Sequence, residues 1–141
     1  MDQTAIFGPF LAMMTLTFVV WVFMYVKRIG WIQASGVTPT ELAIPGRLAE
    51  LTPPDVSNPS DNLKNLFEIP VLFYALCLYL YASATVDLFY VAGAWVYVAF
   101  RYFHSAVHCT VNIVMLRFWL YATSTLTFWI MALRAMYELI G

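Results

Sequence analysis

From Gln3 to Val26 the chain carries no charged side chain. A helix needs about 20 apolar residues to cross a bilayer, so this run is long enough to span one. Backbone N–H and C=O groups in lipid must be bonded internally, which restricts spanning segments to helices and closed barrels. The run lacks the period-two alternation of a barrel strand, so a helix is the remaining choice. Composition points the same way: 62% of residues are hydrophobic and 11% charged, against about 25% charged in soluble domains. The net charge of −1 gives no reason to expect a nucleic-acid partner.

No basic residue precedes this first run, and Lys27-Arg28 follows it in place of a small-residue cleavage site. It is therefore expected to stay as an anchor rather than leave as a signal peptide. Residues 27–64 hold prolines at 39, 45, 53, 54 and 59. Interior prolines remove helix hydrogen bonds and clash with the preceding turn, so a long polar loop lying over the membrane face is expected there.

The apolar character returns at Ile69 and continues past Asp87 to Phe100. One helix over that length would measure about 48 Å, well beyond a hydrocarbon core of about 30 Å. A hairpin turning near Thr85-Val86-Asp87 resolves the excess. The expectation is one domain over residues 1–141, with spans at about 4–26, 68–86, 88–108 and 114–137 and the loop at 27–64. The fold class is all-α integral membrane, an up-and-down four-helix bundle. Lys27, Arg28, Arg47 and Lys64 on the first loop, with Arg101 and Arg117 around the third, set that side as cytoplasmic. Both termini then lie on the non-cytoplasmic side. Cys77 and Cys109 are poorly placed to pair and are expected to be free.

Against this background Asn65, Glu68, Arg101, His104, His108 and Arg117 stand out, all at the cytoplasmic end. Ionisable groups at membrane depth cost several kcal/mol and usually face a bundle interior or a water-filled cavity. Asn65 and Glu68 are neighbours on one helix face, placed either to cap the second span or to bind. Arg101, His104, His108 and Asn112 step by three and four residues, lining one face if the helix continues. That stripe fits internal hydrogen bonding, an anion or thiol site, or a metal shared by two histidines. No HExxH accompanies it, and we assign no metal ligand. Arg117 opens the last span, where the helix dipole disfavours a cation, so it should seek Glu68, a lipid phosphate or a bound anion. Tyr121 lies one turn deeper on the same face.

At these positions the chain resembles the MAPEG family, the membrane-associated proteins of eicosanoid and glutathione metabolism. Asn65-Leu-Phe-Glu68 is similar to the family's NxxE. Arg101-Tyr-Phe-His104-Ser-Ala-Val-His108 is similar to the RxxHxxxY segment of the microsomal glutathione transferases. Arg117-Phe-Trp-Leu-Tyr121 is similar to the start of the fourth helix in the leukotriene synthases.

The resemblance implies a homotrimer in membrane lipid, with glutathione as co-substrate between protomers and a lipophilic small-molecule substrate. It implies glutathione-binding roles for Asn65, Glu68, Arg101, His104 and Tyr121. Arg117 would act beside the sulfur, with His108 as a polar assistant. Three positions depart from the pattern: Asp61 stands in place of an arginine, Ile69 of a tyrosine and His108 of a tyrosine. Asp61 would repel a glutathione carboxylate. The expected activity is therefore a glutathione transferase or peroxidase acting on lipophilic electrophiles, with a non-catalytic lipid-binding or scaffolding trimer as the alternative.

Overall fold

The computed structural model describes residues 1–140, apart from the side chain of Pro39. Among the described residues there are helices and no strand. A 3-10 turn over Gln3–Ile6 leads into α1 (Phe7–Ser35). Two short helices follow, α2 (Pro39–Leu42) and α3 (Arg47–Leu51). Then come α4 (Pro54–Leu66), α5 (Ile69–Ala82), α6 (Leu88–Cys109) and α7 (Val114–Ile140).

The expected loop over 27–64 is largely helical. Helix α1 continues past Lys27-Arg28 to Ser35 and stops where Gly36 takes a left-handed φ of 68°. Pro54 sits in the first turn of α4, where the missing N–H has no intrahelical role. Pro59 lies inside α4 and removes one hydrogen bond without ending the helix. Burial compensates: Val56, Pro59, Asn62 and Leu66 all turn inward at helical spacing, against α1 and α6.

Between α4 and α5 the chain breaks at Phe67-Glu68 because Pro70 occupies the first turn of α5. Proline lacks the N–H that would continue the ladder and clashes with the carbonyl four residues back, here that of Leu66. Helix α4 therefore stops, and Glu68 leaves helical geometry at φ −98° and ψ −107°. The break places Asn65 and Glu68 at a corner rather than along a continuous helix.

The apolar core runs between the long helices. Phe73, Cys77 and Leu80 of α5 meet Tyr90, Ala94, Tyr97 and Val98 of α6, with Phe128, Met131 and Ala135 from α7 and Met13 and Leu16 from α1. The Phe73 and Tyr97 rings stack at 4.5 Å. Helices α6 and α7 make the most extensive pairing. Gly93 lets them approach closely, since a Cβ there would lie 2.9 Å from Met131 Sδ. Near the N-terminus, the Gln3 side chain accepts from the Val86 N–H at 2.8 Å and donates to its carbonyl at 3.3 Å.

Large apolar side chains such as Leu11, Phe18, Trp95, Leu126 and Leu133 point outward and exposed. Soluble monomers rarely carry contiguous apolar surface on this scale. The stretches Gln3–Ser35 and Pro54–Ala82 are long and apolar enough to cross a membrane, judged by length and composition.

Candidate functional site

A cleft of about 290 Å³ opens where the α4–α5 corner meets the end of α6 and the start of α7. Asn65 and Glu68 form one wall, His104 another, and Arg117 and Tyr121 a third, with Val114 and Phe118 as apolar lining. Five of the seven candidate residues thus share one cavity.

Arg101 is absent from the walls but lies beside them, fully buried. Its Nη2 donates to the Asn65 carbonyl at 2.7 Å. That carbonyl is available because the corner interrupts the helix ladder. The guanidinium stands over the Tyr121 ring at 5.2 Å and the Tyr97 ring at 6.0 Å, both within cation–π range. Its Nε and Nη1 have no protein partner. A buried cation with unpaired donors is costly.

His104 is fixed by the backbone. Its Nδ1 lies 3.1 Å from the Arg117 carbonyl, and since a carbonyl only accepts, Nδ1 must carry the proton. In the neutral ring that leaves Nε2 as an acceptor, and no protein group meets it. The ring lies 5.7 Å from Tyr121 and 5.6 Å from His108.

His108 is buried behind His104, off the cleft, with an unpartnered Nδ1. Among the described residues no group of three His, Cys, Asp or Glu side chains gathers as metal ligands, so these two histidines lack a third partner.

The sequence puts Asn112 on the α6 stripe if the helix continues, and it does not. It directs Arg117 to Glu68, a lipid phosphate or a bound anion, and among the described residues no ion pair joins Arg117 to Glu68. Helix α6 ends at Cys109, and Asn112 turns out of it with φ 47°. From the turn, Asn112 Oδ1 accepts from Arg117 Nη1 at 2.6 Å. Asn112 Nδ2 in turn donates to Asn58 Oδ1 on α4 at 3.0 Å. Asn58 was not foreseen, because its partner lies 54 positions away and α4 itself was hidden by its prolines. Glu68 occupies the N-cap position of α5 but makes no side-chain capping bond.

The three departures all lie away from the cleft walls. Asp61 is ion-paired with Lys64 at 2.8 Å on a different cavity. Ile69 packs against the hydrophobic core. His108 stands behind His104. Cys77 and Cys109 are both free.

The sequence profile described as MAPEG family matches residues 6–137. The chain belongs to the MAPEG family. It matches no curated protein and no solved structure. MAPEG proteins are membrane-associated and include glutathione transferases and related membrane proteins. Membership therefore places the exposed apolar faces of α1 and α5 in a lipid environment.

Proposed function

We propose that this MAPEG protein is an integral-membrane glutathione transferase or peroxidase acting on lipophilic electrophiles. In this reading α1, the α4–α5 pair, α6 and α7 cross the bilayer as an up-and-down four-helix bundle. Three protomers assemble as a homotrimer, with the cleft at the cytoplasmic end and the termini on the opposite side. The single domain spans the whole chain. One observation supports glutathione over a changed ligand. Asn65, Glu68, His104, Arg117 and Tyr121, which follow the family pattern, line one cleft, and the three residues that break the pattern lie off it.

The donor set suits a peptide with two carboxylates, one ammonium and a thiol. The Glu68 carboxylate and the Asn65 amide serve an ammonium and a peptide backbone. The unpaired Arg101 donors suit an anion beside the cleft. His104 Nε2 accepts from an N–H or S–H group. Arg117 is the residue placed to favour thiolate over thiol; a free thiol has a pKa near 8.5, and lowering it by one unit takes about 1.4 kcal/mol. Tyr121 adds a hydroxyl on the same wall. His108 is a positioning residue, holding the His104 ring from behind. In conjugation the S–H bond breaks and its proton leaves to solvent, and the thiolate forms a carbon–sulfur bond with an electrophile arriving from the lipid. The electrophile either expels its leaving group with the bonding pair or, at an activated double bond, takes a proton from solvent on the carbon that receives the π pair.

The test is thermal unfolding of the purified chain with and without glutathione. A ligand at 100 times its dissociation constant stabilises by about 2.7 kcal/mol, and no shift at millimolar glutathione would count against this function.

The alternative, a non-catalytic lipid-binding or scaffolding trimer, draws on the polar bonds that tie helices together at the same end. Arg101 to Asn65, Ser105 to Asn62 and Asn112 to Asn58 all cross between elements. Arg117→Ala separates the two: a stable trimer that loses a thiol-transfer activity supports the enzyme, and loss of the trimer supports the scaffold.

A further inference from the structure

Helix α4 carries a row of asparagines: Asn58, Asn62 and Asn65 lie four and three residues apart, on one face. Each meets a residue outside α4. Asn65 offers its carbonyl to Arg101. Asn62, fully buried, accepts from Ser105 Oγ at 3.3 Å and donates to Cys109 Sγ at 3.5 Å. Asn58 Oδ1 accepts from Asn112 Nδ2 at 3.0 Å, and Asn112 carries the contact on to Arg117. Of these three paths only the one from Asn58 ends on a side chain that lines the cleft.

The chemistry of that path fixes its direction. A guanidinium only donates, so the Asn112 atom that meets Arg117 Nη1 at 2.6 Å must be the amide oxygen. The Asn112 amide nitrogen then needs an acceptor of its own, and Asn58 Oδ1 supplies it. A flipped Asn112 amide loses the bond to Arg117 and sets its oxygen against Asn58 Oδ1. Asn58 thereby disfavours the one arrangement in which Asn112 releases Arg117. The backbone supports the same aim. Asn112 stands at φ 47°, a left-handed conformation uncommon for a residue with a Cβ, and its N–H closes the turn on the Val107 carbonyl at 2.7 Å. The main chain of Arg117 is held as well, through its carbonyl to His104 Nδ1.

Asn58 and Asn65 are seven residues apart on one helix, about 10 Å along its axis, and that helix leads to the corner holding Glu68. One element thus carries the wall assigned above to the tripeptide and, through Asn112, the aim of the cation assigned to its sulfur. We infer that Asn58 is a positioning residue: through Asn112 it fixes the Arg117 guanidinium relative to Asn65 and Glu68. A tripeptide held by α4 then presents its sulfur to a cation set by the same helix. The inference rests on the glutathione reading of the cleft.

The test uses the purified full-length chain in lipid nanodiscs saturated with glutathione. Ultraviolet absorbance of the bound thiolate, followed against pH, gives the midpoint at which the bound thiol ionises. Glu68, His104 and Tyr121 share the cleft with Arg117 and stay unchanged in every variant, so a shift reports on Arg117. Asn58→Leu keeps the side-chain size but removes the acceptor. It should raise the midpoint by about 0.7 in pH, which is about fivefold less thiolate below the midpoint, and lower kcat to match at unchanged KM. Asn58→Asp keeps the acceptor and should keep the wild-type midpoint. Asn62→Leu breaks the neighbouring tie between α4 and α6, so it should lower thermal stability without moving the ionisation midpoint. A wild-type midpoint in Asn58→Leu would overturn the inference alone. So would an equal shift in Asn58→Asp or in Asn62→Leu, since either would make the row a structural lock. A wild-type chain that binds no glutathione would overturn the function and this inference together.

Discussion

The two ends of the helical array carry similar residues in opposite states. At the far end, Arg134 donates from both terminal nitrogens to Asp87, at 3.2 and 2.5 Å, and from Nε to Glu138 at 2.7 Å. Its guanidinium stands over both the Phe89 and the Tyr90 ring, 4.5 and 4.6 Å from their centroids. Tyr90 closes the set through its hydroxyl to Glu138 at 2.7 Å, and Asp87 also caps α6. Every charge there has a partner. About 21 Å further along α6, at 1.5 Å per residue, Arg101 is more deeply buried yet keeps two unpaired nitrogens, and both histidines keep one. A fully paired cluster is explained by stability alone. A buried cluster left open costs stability and calls for a ligand.

The same substitution at each end tests that contrast. Arg101 makes one hydrogen bond but leaves two buried donors unpaired, so an apolar side chain of similar length removes their desolvation cost along with that one bond. Arg101→Met should therefore leave the thermal midpoint unchanged or higher, while weakening glutathione binding about 100-fold, or about 2.7 kcal/mol. A lower midpoint with unchanged binding would make Arg101 a structural residue. Arg134→Met should do the reverse, destabilising by about 2 kcal/mol because Asp87 and Glu138 lose charge-assisted bonds. Glutathione affinity should not move, and a calorimetric titration of the variant checks it.

A smaller effect is expected at Asn112. Asn112→Gly keeps the left-handed turn, which glycine adopts freely, and deletes only the bond to Arg117 and its tie to Asn58. Turnover should fall about tenfold, close to 1.4 kcal/mol, with stability nearly preserved; unchanged turnover would show that Arg117 needs no anchor.

The weakest effect is in acid. The Arg134 hydrogen bond holds the Asp87 carboxyl below its usual range. A carboxylate with a lowered folded-state pKa contributes stability above its unfolded value, about 3.9, and loses it as pH falls through the folded value. Wild-type stability should therefore drop as pH falls below about 4, and Asp87→Asn should flatten that part of the profile.

How much of this was legible in the sequence differs along the chain. Arg101, His104 and His108 were visible because steps of three and four on an apolar helix expose polar outliers at once. Asn65 and Glu68 were visible for the same reason, though not the corner between them, which Pro70 creates by breaking the ladder. Helix α4 was hidden: its prolines read as loop, and only the spacing of Val56, Asn62 and Leu66 hinted at a buried face. The anchoring of Arg117 was out of reach. It depends on α6 ending at Cys109, which no apolar run announces, and on Asn58, which meets Asn112 only through tertiary packing. Asp61 misled in a different way, since its position in a motif did not reveal that it faces another cavity.

The most direct test of the open cluster is a calorimetric titration of glutathione into the wild-type chain in lipid nanodiscs. Saturable binding at or below millimolar concentration, one molecule per cleft, is the expected result. A flat titration at millimolar glutathione would contradict the account and leave the unpaired groups of Arg101 and His104 to be explained by another ligand.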